Sequence, residues 1–154
     1  MLDVSGFTQK IRIALSKVQA IAVSVLPDSL ATDRKFVRAV GLTCALHSTA
    51  NKKVTSAEVE ATINLISSIT QIKDLGLTHV ALNVYSTHIQ ELHALSSTAD
   101  APFYTIKVSA MLEEISHLTA STKNAEMLTA LLPHLSNRDV PERTITNRIK
   151  GVLC

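Results

Sequence analysis

Apolar side chains recur along this chain at spacings of three and four, the period of a helix face, and polar breaks divide the pattern into segments. In the first, Phe7 to Leu26, a stripe of Phe7, Ile11, Leu15, Val18, Ala22 and Val25 leaves Gln9, Lys10, Arg12, Lys17 and Gln19 mostly elsewhere, and Pro27-Asp28-Ser29 stops it. The second begins after Thr32 or Asp33, either of which can cap a helix, and carries Phe36, Val37, Val40, Leu42, Cys44 and Leu46 to about Ala50. It is apolar nearly all round, which predicts a central position.

Asn51-Lys52-Lys53 is the next break, and Thr55-Ser56-Ala57-Glu58 then has the capping-box form, a hydroxyl followed three residues later by a carboxylate. A third helix carries Val59, Ile63, Ile66 and Ile69, and Asp74-Leu75-Gly76 divides it from a fourth. There Leu77, Val80, Ala81, Val84, Tyr85, Ile89, Leu92 and Leu95 form the clearest amphipathic stripe in the chain. Ser96 to Ala101 reads as a loop, with Pro102 in the first turn of a fifth helix through Ile106, Met111, Leu112, Ile115 and Leu118. A sixth runs from about Asn124 to Leu135, Ser136 to Pro141 breaks the pattern, and a short seventh spans Glu142 to Val152. Val54 and the stretch from Tyr104 to Val108 neither alternate nor extend enough for strands, so the expected fold is all-α: one compact domain over residues 1–154, a bundle of about six to seven helices.

Composition agrees with that reading. The 154 residues are 46% hydrophobic and 18% charged, well outside the regime that stays disordered, and with only 3% aromatics the core falls to Ala, Leu, Ile and Val, which suit helix-on-helix packing. Fifteen basic and 13 acidic residues nearly cancel to +2, too balanced for a nucleic-acid groove or a polybasic membrane anchor. Two cysteines, Cys44 within a helical pattern and Cys154, do not make a disulfide framework and fit a reducing cytoplasm. Lys10, Arg12, Lys17 and Gln19 interrupt the apolar run in residues 1–26, so neither a signal peptide nor a membrane span is expected there.

Catalytic and zinc-binding patterns are missing. His47, His79, His88, His93, His117 and His134 include no pair four apart on a helix, and they are expected to be partly exposed. Cys44 reads as a buried structural thiol, and Glu113-Glu114, being adjacent on a helix, points its two carboxylates about a hundred degrees apart. The sequence holds no Gly-rich phosphate loop, Gly-x-Ser-x-Gly elbow or Cys-x-x-Cys.

The two breaks Ala50-Asn51-Lys52-Lys53-Val54-Thr55 and Ser136-Asn137-Arg138-Asp139-Val140-Pro141 are alike, each ending an apolar helix and opening a polar-faced one. With Ser5-Gly6-Phe7-Thr8-Gln9-Lys10-Ile11, Ala14-Leu15-Ser16, Lys35-Phe36 and the stretch from Cys44 to Glu58, they resemble the tellurite-resistance TerB-like family. The resemblance implies two pseudo-repeated helical halves and metal held at acidic loops of the form Ala-Asp-Gly-small-Val-Ser-x-x-Glu. This chain departs from that form where it matters for a hard cation, which is held by several carboxylate and carbonyl oxygens. Asn51 and Asn137 stand for the Asp, Lys52 and Arg138 for the Gly, and Lys53 adds a second ammonium beside the first. Both sites therefore read as disabled, with Asn51, Glu58, Asn137, Asp139 and Glu142 the only remaining ligand candidates. Lys52, Lys53 and Arg138 could form a small basic interaction patch.

The functional expectation is a cytoplasmic, non-enzymatic interaction protein without cofactor, docking on a protein partner in a bacterial stress or phage-related setting, and able to self-associate. Its alternative is a weak divalent-metal-binding stress-response protein.

Overall fold

The computed structural model describes residues 31–50, 54–96, 101–135 and 140–153. The segment Phe7–Leu26, both polar breaks with Asn51, Lys52, Lys53, Asn137, Arg138 and Asp139, and Cys154 lie outside the described residues. Among those described, seven α-helices and no strand are found: α1 (Ala31–Thr49), α2 (Ser56–Ser68), α3 (Thr70–Asp74), α4 (Thr78–Ser96), α5 (Ala101–Leu118), α6 (Thr122–Leu131) and α7 (Val140–Val152). A 3-10 turn, Leu132–His134, follows α6. The protein is all-α, as the periodicity predicts. Tyr104 to Val108 is helical within α5, and no described helix is long and apolar enough to cross a membrane.

The helix expected to be central is so. α1 packs against α2, α4, α5, α6 and α7, and every position from Ala39 to Thr49 is buried. Burying Leu42, Leu46 and their neighbours Leu82, Ile89 and Ile115 on the facing helices contributes on the order of 1.5–3 kcal/mol per side chain. The tightest approach is between α1 and α4. A Cβ placed on Gly41 would lie 2.7 Å from Val84 Cβ and 3.0 Å from the Ala81 carbonyl oxygen, so the two backbones meet where the first has no side chain.

Polar contacts set the helix directions. Arg38 near the start of α1 pairs with Glu114 late in α5, and Tyr104 early in α5 donates its hydroxyl to the Thr49 carbonyl, 3.0 Å away, at the end of α1. These helices are therefore antiparallel, and the Tyr104 hydroxyl satisfies one of the last carbonyls of α1. Lys107 bridges to Glu91 at 2.8 Å and ties α5 to α4. Glu114 thus has a cross-helix partner, while Glu113 is exposed beside His117.

Hydroxyl caps open two of the helices, the first at the capping box read from the sequence and the second at a serine that was not singled out there. The Thr55 hydroxyl accepts from the Glu58 amide at 3.2 Å, opening α2, and Ser121 accepts from the Asn124 amide at 3.2 Å, opening α6. Gly76, at φ 69°, supplies the left-handed residue that the turn before α4 needs.

Three boundaries differ from expectation. The third helix is not continuous to Asp74, because Ile69 is extended (ψ 108°) and its amide bonds back only to Ile66, which divides α2 from α3 and lets Ile72 enter the core. The sixth stops as an α-helix at Leu131. Pro133 has no N–H to continue the ladder, so the chain tightens into the 3-10 turn. The seventh starts earlier, at Val140, with Pro141 accommodated in its first turn.

A candidate docking groove along the central helix

Two cavities lie in line beside α1. One, of about 350 Å³, is lined by Phe36, Leu65, Ile69, Met127, Leu131 and His134 among others; the next, of about 570 Å³, by His47, Ser48, Glu58, Thr62, Leu65, His134 and Glu142 among others. Leu65 and His134 border both, so the two cavities adjoin there as the ends of an interrupted groove. Its walls are α2 on one side and α6, the 3-10 turn and the start of α7 on the other; α2, α6 and α7 all rest on α1. α1 meets the first cavity at Phe36 and the second at His47 and Ser48, eleven residues or about 16 Å further on, and the positions between them on that face, Val40 and Thr43, are fully buried and line neither.

The groove changes character along its length. Its Phe36 end is apolar, with Leu65 and Met127 half-buried on opposing walls. Its other end is polar. There Ser48 Oγ lies 3.0 Å from the Tyr85 hydroxyl and 3.4 Å from Thr62 Oγ1, and Thr62 donates to the Glu58 carbonyl at 2.8 Å. Burial pushes the Tyr85 phenol well above its ordinary value, and its hydrogen bonding with Ser48 and Thr62 pulls it only part of the way back. A neutral hydroxyl network thus underlies this end. Between the two ends, on the same ridge of α1, Thr43 is fully buried and its hydroxyl has no hydrogen-bond partner.

Of the ligand candidates, the described pair Glu58 and Glu142 come from helices far apart in sequence and line the same cavity. Glu142 sits in the first turn of α7, only 6% exposed, where the helix dipole favours a carboxylate. The structure does not place Asn51, Asn137 and Asp139 relative to them, since these lie outside the described residues, as do Lys52, Lys53 and Arg138. Among the described residues no group of three or more His, Cys, Asp or Glu side chains could hold a metal ion.

The remaining chemistry is structural. Cys44 is fully buried, and desolvation pushes its thiol up to about 12, far from a reactive thiolate. Two histidines depart from the partly exposed state expected of them: His47 and His88 are each 8% exposed. His88 Nδ1 lies 2.8 Å from the Val84 carbonyl oxygen on its own helix, which lets the ring be buried with one nitrogen hydrogen-bonded. His134 borders the groove but gave no sequence signal, and neither did Ser48, Thr62 or Tyr85. A Tyr on an apolar stripe reads simply as core.

Comparison with known proteins returns no match: no family model, no curated protein and no solved structure matches this chain.

Proposed function

We propose that this protein is a non-enzymatic helical interaction module, which docks an amphipathic helix in the groove along α1 and does so on a TerB-like scaffold whose metal ligands have been replaced. The observation that carries the reading is the pair of adjoining cavities between α2 and the α6–α7 side, apolar at the Phe36 end and carrying Glu58 and Glu142 at the other. Helix-in-groove recognition needs that combination, an apolar trough for the i, i+3, i+4 stripe and a polar end that fixes direction. The inert Cys44 thiol is in keeping with a role that is not catalytic. A cytoplasmic location, which rests on the cysteine usage, and a bacterial stress or phage-related setting, which rests on the resemblance, belong to the same proposal. The test is affinity capture from the native host with the full chain beside a Leu65→Glu, Met127→Glu variant. A protein identified by mass spectrometry with the first and lost with the second supports the reading; capture indifferent to both substitutions overturns it.

Glu58 and Glu142 in one cavity give a second reading its footing, a weak divalent-cation site of the tellurite-resistance type. Under the first reading, millimolar calcium leaves the melting temperature unchanged, since a ligand stabilises only as its concentration exceeds its dissociation constant. A rise of several degrees that a chelator reverses, and that Glu58→Ala abolishes, favours the second.

A further inference from the structure

We propose that the partner helix taken by these two cavities is basic at one end: its apolar stripe seats in the smaller cavity, and a Lys or Arg about three turns away on the same face reaches Glu58 and Glu142. The inference rests on the reading of the cavities as a helix dock and names the chemistry of what docks.

The wall that such a ligand follows is α2. Glu58, Ala61, Thr62 and Leu65 on that helix, with Ile69 just past its end, each line one cavity or both, and their spacing of three and four places them on a single face. None of the five is buried, so this face is open from one cavity to the other, whereas the face of α1 beneath is closed at Val40 and Thr43. Glu58 and Ile69 are eleven residues apart, about 16 Å along a helix and close to three full turns. A ligand helix lying along α2 therefore presents side chains eleven positions apart, on one face, to the two ends.

The ends differ in charge. Among the described residues lining the smaller cavity there is no Asp, Glu, Lys or Arg. Those lining the larger include Glu58 and Glu142 and no Lys or Arg. Glu142 is almost fully buried, so water screens it poorly and an incoming cation gains more from it than from a surface carboxylate. Each carboxylate has about four acceptor sites, so the contacts that both already make within the fold leave capacity for a partner's ammonium or guanidinium. An acidic ligand would bring like charges together at this end, and one apolar throughout would bury the carboxylates without a counter-charge.

A displayed library of short helices, selected on the full chain, tests this. Each member carries Leu at i, i+3, i+4 and i+7, and positions i+11, i+14 and i+15 are randomised, in both chain orders. Selection is expected to enrich Lys and Arg over Asp and Glu at the randomised positions by about tenfold. In the Glu58→Gln, Glu142→Gln variant that ratio is expected to return to about one while helices are still retained, and their retention shows that the variant is folded. Should the double variant retain nothing, Glu58→Gln alone decides: its ratio is expected to fall by about threefold, and an unchanged ratio overturns the inference. So do selected helices with no basic bias, or with one that survives both Gln substitutions. Where retention of such helices is still lost in Leu65→Glu, Met127→Glu, the basic partner falls and the docking reading stands. If retention ignores Leu65 and Met127, or the unmodified chain retains no helix, both fall.

Discussion

The two flanks of α1 follow different packing rules. Toward α4, the helix omits a side chain at Gly41 and the backbones close on each other, with Ala81 and Val84 filling the interface. Toward the groove, Phe36 and His47 project more than a hundred degrees round the helix from Gly41, and the facing helices stand apart. Both flanks are drawn from the same nearly continuous apolar sequence. Hydrophobicity therefore says that α1 is central, whereas the size of one residue and the spacing of the neighbours decide which flank is sealed and which keeps volume.

Substitutions on the two flanks should separate accordingly. Gly41→Val is expected to cost about 3 kcal/mol in urea unfolding, because the added carbons meet Val84 and the Ala81 carbonyl with no flexible side chain to yield. Recovery of part of that loss in Gly41→Val, Val84→Ala would tie the cost to this contact; a loss under about 0.5 kcal/mol would mean that the helices are not in close approach.

Alkaline pH probes the sealed interior next. The Cys44 thiol has an ordinary value of 9.0 in the unfolded chain and about 12 when folded. Between those values the unfolded state binds fewer protons, so stability is unaffected below pH 9 and falls as the pH rises toward 12. Tyr85, raised by burial, adds to the fall in the same direction. About 3 kcal/mol is expected to be lost at pH 11 through Cys44 alone, and Cys44→Ala should flatten the slope. Unfolding midpoints that stay constant from pH 8 to 11 would contradict so deep a burial.

Smaller effects belong to the polar end of the groove. Tyr85→Phe removes the hydroxyl that Ser48 contacts and is expected to cost about 1 kcal/mol, measured as a shift in urea midpoint at unchanged slope. Met127→Glu, on a half-buried wall, should change stability by less than about 0.5 kcal/mol while removing partner capture. A large destabilisation there would make Met127 part of the core, and the contrast between the flanks would disappear.

Much of the fold was legible because it is written in short-range signals. The central position of α1 follows from its apolar surround, and the start of α2 from Thr55 and Glu58, three residues apart. The interruption at Ile69 was not legible, since nothing in the run Ile66 to Gln71 forbids a helix; it lets Ile72 into the core, a tertiary demand. The burial of His47 and His88 was missed for a similar reason. A histidine can be buried once a ring nitrogen finds a partner, and for His88 that partner is a carbonyl one turn back. The groove was the least legible feature. Its walls are separated by about sixty residues of sequence, and Glu58 and Glu142, named as remnants of two distinct loops, line one cavity only because α2 and α7 both rest on α1.

The missing methyl group at Gly41 also acts at a distance. Because Phe36 and His47 point largely away from α4, a side chain at Gly41 that pushed α1 off α4 would press those two residues toward the cavities they line. The volume on one flank of α1 is in that sense shimmed from the other, by Gly41, Ala81 and Val84, none of which lines either cavity.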